Sequence, residues 1–239
     1  MTWIFCAGMI RSGSTLQYQL ASTIVERAGV GERIGYAPEA EFEHVSQEHA
    51  HQARRMLVFK AHVCLPAFVD ACTNEGALVI YSYRDIRDVA VSASRKFGKS
   101  FDELRDAGWL DQAIDDYYKW LSLPRTLVSR YDEMRDDVAG EAARINRHLG
   151  TPLPIAEVKE LARGFSLEAQ KRRVSQIRER VGPDIGSRDI AFDPTELLHH
   201  NHIYDGETGG WRRLLSPDQI AFLNERYAKW LAEARYATQ

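Results

Sequence analysis

Apolar residues in this chain gather in two kinds of pattern that take turns. Three short runs rich in β-branched and aromatic residues, Trp3 to Ala7, Met56 to Phe59 and Ala77 to Tyr83, read as strands, and each is followed by a stretch of helical period. After the first, Leu16, Leu20, Ile24 and Ala28 recur every four residues and stop at Gly29, which gives a helix with one apolar stripe and a residue suited to ending it. Further helices are expected over Pro66 to Cys72, about Ile86 to Phe97, Leu110 to Leu121, and through Ala142, Ile145 and Leu149 to Gly150. A fourth strand is expected at Thr126 to Tyr131. Ser216, Pro217, Asp218 and Gln219 open the last helix with an N-cap, a first-turn proline and a capping-box glutamine. The alternation predicts an α/β fold: one domain over residues 1–239, with a mostly parallel central sheet between helical layers. Its ligand site should lie beyond the carboxyl ends of the strands.

The polar stretches sharpen this. From Gln170 to Arg188 the chain is basic and reads as a solvated helix followed by a loop, and residues 182–210 hold few apolar side chains, as a lid over an anionic ligand would. Yet the whole chain, 239 residues with 44% apolar and 27% charged content, carries a formal net charge of -3. That balance argues against a surface built for nucleic acid, so any anion site is local. Only seven of the 31 basic residues are lysine, and arginine suits phosphate and sulfate. Cys6, Cys64 and Cys72 lack the paired spacing of a zinc or redox site, so free thiols in a reducing compartment are expected. No window approaches the ~18 apolar residues of a membrane span, and Thr2 to Ala7 is too short for a signal-peptide core. With a strand beginning almost at the first methionine, a cytoplasmic protein with no membrane partner is expected.

Chemistry enters at the first strand end. Gly8-Met-Ile-Arg-Ser-Gly13-Ser-Thr15 has the spacing of a P-loop with Ser14 where that motif needs lysine. Glycine lets backbone N–H groups turn toward an anion, the next helix directs its positive end there, Arg11 adds a cation, and Ser12, Ser14 and Thr15 add hydroxyls. A glycine-serine turn that merely caps a helix is the competing reading. At the third strand end stands Tyr83-Arg84-Asp85-Ile86-Arg87-Asp88-Val89-Ala90-Val91-Ser92. Here Arg84 and Ser92 offer a second anion site, or the arginines pair with Asp85 and Asp88 in a structural network.

Arg11-Ser-Gly-Ser-Thr15 and Arg84-Asp-Ile-Arg-Asp-Val-Ala-Val-Ser92 resemble the two signatures of the cytosolic-type sulfotransferases, which use 3′-phosphoadenosine 5′-phosphosulfate. The resemblance implies that Arg11, Ser12, Gly13, Ser14 and Thr15 hold the 5′-phosphosulfate and that Arg84 and Ser92 bind the 3′-phosphate. Phe59-Lys60-Ala61-His62 is similar to a lysine-x-histidine segment of the family, implying His62 as catalytic base. Arg130-Tyr131-Asp132 resembles the segment that contacts the adenine side, and Gly206-Glu-Thr-Gly-Gly-Trp211-Arg212 the glycine-tryptophan motif that closes over the 3′-phosphate. The chain departs from the family where Arg11 replaces a lysine and Leu16 an adenine-packing aromatic, which leaves Phe165 as the stacking candidate. Tyr204 and Asp205 stand where basic residues are usual, with Arg188 and Arg212 as candidate replacements.

The expected reaction is in-line transfer of a sulfuryl group to a hydroxyl or amine of a small-molecule acceptor, leaving adenosine 3′,5′-bisphosphate. His62 takes the proton, while Lys60 and Arg11 stabilise charge on the leaving oxygens. No metal ligand set is evident; His199, His200 and His202 read as solvated loop residues. Two other readings are a P-loop kinase or hydrolase with magnesium on Asp85 or Asp132, and a nucleotide-binding module in which His62 and Lys60 are structural. Tyr36, Glu39, Phe42, His44, Trp109, Tyr117 and Tyr118 are candidates for the acceptor pocket.

Overall fold

Side-chain alternation along β1 (Thr2–Gly8) sets the layering: Trp3, Phe5 and Ala7 enter one core and Ile4 and Cys6 the other, all buried. The computed structural model describes residues 1–52, 55–181 and 192–237, without the side chains of Glu39 and Val181. From β1 the chain runs through α1 (Ser14–Arg27) to β2 (Gly31–Gly35), then α2 (Phe42–Glu48), β3 (Met56–Lys60), α3 (Pro66–Asn74), β4 (Leu78–Tyr83) and α4 (Ile86–Phe97). After α5 (Phe101–Asp106) and α6 (Trp109–Leu121) comes β5 (Thr126–Arg130). The five strands form one parallel sheet in the order β2-β3-β1-β4-β5. Because β1 is flanked by β3 on one side and β4 on the other, the order reverses at its end, where an open α/β sheet leaves a crevice. Register carries all the strand ends to that edge together: Cys6 lies opposite Lys60, Gly8 opposite Ser82, and Tyr83 opposite Arg130.

The two cores differ in character. On the Trp3 side, Phe5, Phe42, Phe59, Phe68 and Trp120 interlock, with Phe5 and Phe68 edge to face at 4.9 Å. That geometry suits aromatic quadrupoles and packs a wide layer under α3 and α6. On the opposite face Ile24, Val25, Ile145, Leu149 and Val158 bring α1 together with α8 (Val138–Leu149) and α9 (Ile155–Ala162). The chain closes with α10 (Leu167–Val181), a two-stranded hairpin of β6 (Phe192–Asp193) and β7 (Leu198–His199), then α11 (Trp211–Leu214), α12 (Pro217–Arg226) and α13 (Ala228–Glu233). A short helix, α7 (Tyr131–Asp136), follows β5 directly. Ser216 and Gln219 make the expected reciprocal capping box at α12. No helix among the described residues is long and apolar enough to cross a membrane.

Among the differences from the sequence expectation, three have a cause visible in the packing. The β2 strand, Gly-Glu-Arg-Ile-Gly, has no apolar run because it lies at the sheet edge; a Cβ on Gly31 would sit 2.2 Å from the Met56 carbonyl. Tyr131 begins α7 instead of ending a strand. The basic helix starts at Leu167 and is solvated on one side only, since Ala169, Gln170, Val174 and Ile177 are buried and Leu198 packs on the last two. Residues 182–191 of the expected lid, Arg188 included, lie outside the described residues, and 192–210 form the hairpin and a following loop.

Candidate active site

The loop between β1 and α1 is shaped from within. Arg11 and Gly13 both take left-handed φ values, 67° and 89°. A Cβ on Gly13 would meet Met134 Cε at 2.5 Å and the Tyr131 ring at 3.0 Å, so only glycine lets the loop lie against α7. Ser12 is fully buried; its hydroxyl bonds the Met9 carbonyl at 2.6 Å and the Ser82 carbonyl at 2.9 Å. Its side chain therefore fixes the loop and does not line the cavity that Gly13, Ser14 and Thr15 line. No side chain caps α1, which leaves its positive end for an anion.

That cavity, about 410 Å³, lies at the carboxyl edge of the sheet. Arg11, Lys60, His62, Arg84, Ser92, Tyr131, Phe165 and Gly206 all line it, although they come from six separate parts of the chain. The Arg11 Nε donates to Ser92 Oγ at 3.0 Å and its Nη2 to the His202 carbonyl, which ties the glycine loop to α4 and to the segment after the hairpin. Arg84 lies 4.5 Å above the Tyr131 ring, and its Nη2 donates to the Glu207 carbonyl. Its neighbour has another task. Arg87 grips Asp85 through two bonds of 2.9 and 2.7 Å and stacks on Trp211, so the structural network read from the sequence holds for Arg87 while Arg84 faces the cavity.

His62 sits between a carbonyl and an ammonium. The Gly8 carbonyl, 3.2 Å from Nδ1, can only accept, so Nδ1 carries the ring proton and Nε2 accepts from Lys60 Nζ at 2.8 Å. Burial first, then the charges of Lys60 and Arg11, push the imidazole pKa down to about 3 despite the Gly8 bond, which keeps the ring neutral. The Trp120 indole N–H donates to the His62 carbonyl at 2.9 Å and fixes the backbone there.

Other expectations fare differently. Trp211 is buried under Arg87 and Arg212, and neither Trp211 nor Arg212 lines the cavity. What Trp211 offers is a backbone N–H, which with that of Gly209 donates to the Asp88 carboxylate at 3.2 and 2.7 Å. The signal for this clamp is not local, because Asp88 and its partners are more than 120 residues apart. His202 is no solvated loop residue: its ring lines the cavity, and burial together with Arg11 and Lys60 holds its pKa well below the usual value. Asp85 is occupied by Arg87 and Asp132 by Arg130, and neither lines the cavity; the carboxylates that do, Asp88, Asp205 and Glu207, are engaged by the Gly209 and Trp211 N–H groups, by Arg95 and by Arg213. Among the described residues no group of three or more His, Cys, Asp or Glu could hold a metal ion. Of the acceptor candidates, Tyr36 lines the cavity 6.3 Å from His62. Phe42 and Tyr117 are core, Tyr118 bonds Glu233, Trp109 packs on Phe97 and His44 pairs with Glu48. The side chain of Glu39 lies outside what is described.

Sheet order and loop thus define an α/β protein that gathers cationic and hydroxyl side chains at one strand edge. Residues 2–235 match the sulfotransferase domain family, and the chain belongs to it. Human Sulfotransferase 2B1 is 24% identical over 192 residues, covering 72% of this chain and 49% of that protein; its mouse counterpart is 23% identical over 175 residues, covering 65% and 48%. The chain therefore spans about half the length of the curated relatives it matches. Among solved structures, mouse sulfotransferase SULT7A1 complexed with PAP superposes with a TM-score of 0.67 at 17% identity, covering 97% of this chain and 85% of that one. Retinol dehydratase in a complex with retinol and PAP gives 0.62 at 18%, covering 96% and 81%. At these identities the superpositions establish the fold.

Proposed function

We propose that the protein transfers a sulfuryl group from 3′-phosphoadenosine 5′-phosphosulfate to a hydroxyl or amine of a small molecule. The observation that carries this reading is His62 in the cavity, anchored by Nδ1 to the Gly8 carbonyl at the start of the glycine loop and bonded at Nε2 by Lys60, beside the uncapped start of α1. The residues present fit such a donor: Arg84, which lines the cavity, has a buried Nε without a partner. Gly13, Ser14, Thr15 and Arg11 would hold the phosphosulfate end, Arg84 and Ser92 the 3′-phosphate, and Tyr131 and Phe165 the adenine. Ser12 shapes the loop, Gly206 forms the turn beside Arg84, and Trp211 and Arg212 support that turn from behind. PAP in the retinol dehydratase and SULT7A1 structures, and retinol in the former, support a nucleotide donor and a small acceptor.

Bound there, the donor supplies a sulfuryl group whose bond to the 5′-phosphate oxygen breaks as the acceptor oxygen attacks from the opposite side. His62 accepts the acceptor proton at Nε2, its Nδ1–H staying on Gly8. Lys60 shifts from His62 Nε2 toward the negative charge growing on the leaving oxygen, where Arg11 adds electrostatic support without giving up a proton. A pKa near 3 makes a feeble base, but the same two cations depress it, and anionic charge placed beside them raises it again. Residues 192–210 would form a cover over this site. Thermal unfolding with adenosine 3′,5′-bisphosphate and with ATP, each with and without magnesium, tests the donor; stabilisation by ATP plus magnesium alone would sink the reading. With labelled donor and a panel of phenols, alcohols, amines and sugars, His62→Ala is expected to lose at least ~100-fold in kcat.

A further inference from the structure

Two guanidinium groups hold the turn that begins at Gly206. Arg84 donates to the Glu207 carbonyl, and Arg135, one turn along α7 from Tyr131, donates from Nη1 to the Gly206 carbonyl at 3.3 Å and to Thr208 Oγ1 at 3.2 Å. Consecutive residues stand ~3.8 Å apart, so both cations meet the same end of the cavity, and both line it. The Arg84 side chain is only 9% exposed, and its Nε finds no partner. A buried N–H of a charged group left in this way calls for an acceptor from outside the protein.

The carboxylates nearby do not fill that need. Asp88 takes the Gly209 and Trp211 N–H groups and stands 3.8 Å from Arg84; Asp205 pairs with Arg95, and Glu207 with Arg213. Asp136, which pairs with Arg135, is 64% exposed, so water screens most of its field. The arginine first considered for this end, Arg212, lies against the Trp211 ring at 4.2 Å and does not reach the cavity.

We propose that Arg135 is a binding residue for the phosphate on the donor's ribose, acting with Arg84. It thereby sets a preference for a nucleotide phosphorylated at two positions over a nucleoside 5′-monophosphate. The inference rests on the donor reading above. Calorimetric titration of the full chain with adenosine 3′,5′-bisphosphate and with adenosine 5′-monophosphate separates the two. The wild type should bind the bisphosphate more tightly, and Arg135→Gln should cut that preference roughly tenfold by weakening the bisphosphate alone. Arg135→Lys, which keeps the charge, should restore part of it. Equal weakening of both nucleotides in Arg135→Gln means that Arg135 only holds the turn, and overturns the proposal while leaving the donor reading intact. A wild type that binds neither nucleotide, or shows no preference, removes the donor reading and this inference together.

Discussion

His62 has its two ring nitrogens assigned by neighbours of opposite kind, a carbonyl at Nδ1 and an ammonium at Nε2. A ring so placed cannot take a second proton cheaply, since that proton would point at Lys60. With a folded pKa near 3 against an ordinary 6.5, the unfolded chain binds the proton more readily. The stability contributed by the neutral ring is therefore complete above about pH 6.5 and drains away as the pH falls toward 3. His62→Asn should flatten the decline of the urea midpoint between pH 7 and 4.5. Ring nitrogen resonances should show a neutral, Nδ1-protonated imidazole at pH 5, with a midpoint that rises when adenosine 3′,5′-bisphosphate binds. A midpoint near 6.5 in the free protein would mean that Lys60 and burial do not act on this ring as described. The sequence marks His62 by its place after a strand and beside Lys60; the Gly8 anchor, 54 residues away in the chain, could not be read there.

At the scale of elements, what the sequence reveals follows from how local the cause is. The helix bounds Ile86–Phe97 coincide with the expectation because their determinants are adjacent: an Asp85 cap that accepts from the Arg87 N–H, and Gly98 in the left-handed conformation that ends the helix. The strand β2 escapes notice because an edge strand has little to bury, and α7 because the aromatic Tyr131 suits a strand and follows Arg130 without a break at the strand-to-helix turn. The P-loop spacing announces an anion site but not which hydroxyls serve it, since Ser12 is turned inward by carbonyls of two different segments. The contact between this loop and α7 makes a test of the element as a unit. Gly13→Ala forces a side chain into a φ of 89° and against Met134 and Tyr131. Met134 can swing aside, but the backbone strain and the displaced ring remain, so the variant should lose about 1–3 kcal/mol in urea denaturation. Its affinity for adenosine 3′,5′-bisphosphate should fall further than that of a variant of equal instability elsewhere, because Tyr131 and Arg84 move together.

Across the whole molecule, residues 202–214 line one side of the cavity, and among the described residues the segment adds no strand to the five-stranded sheet. Four ties bind the segment from His202 to Trp211 to the strand edge: Arg11 to the His202 carbonyl, Arg135 to Gly206, Arg84 to Glu207, and Asp88 to Gly209 and Trp211. Three of them are cations gripping carbonyls and so compete with any anion that enters. Asp88 alone pulls from the other side of the charge balance. Burial raises its pKa, yet Arg84 and the two N–H groups hold the opposite way. Removing the carboxylate in Asp88→Ala leaves two N–H groups and part of the Arg84 charge without a partner, a cost of about 1–3 kcal/mol against the relief of burying one charge fewer. Asp88→Asn keeps one acceptor oxygen and should lose less. Both variants should become easier to cleave within residues 202–211 by limited proteolysis, Asp88→Ala the more so, while the urea midpoint falls in the same order. Affinity for adenosine 3′,5′-bisphosphate should drop in step with cleavage if, as proposed, Arg84 and Arg135 meet the nucleotide where this turn holds them. Faster cleavage with unaltered affinity would show that the C-terminal segment covers the site without organising it.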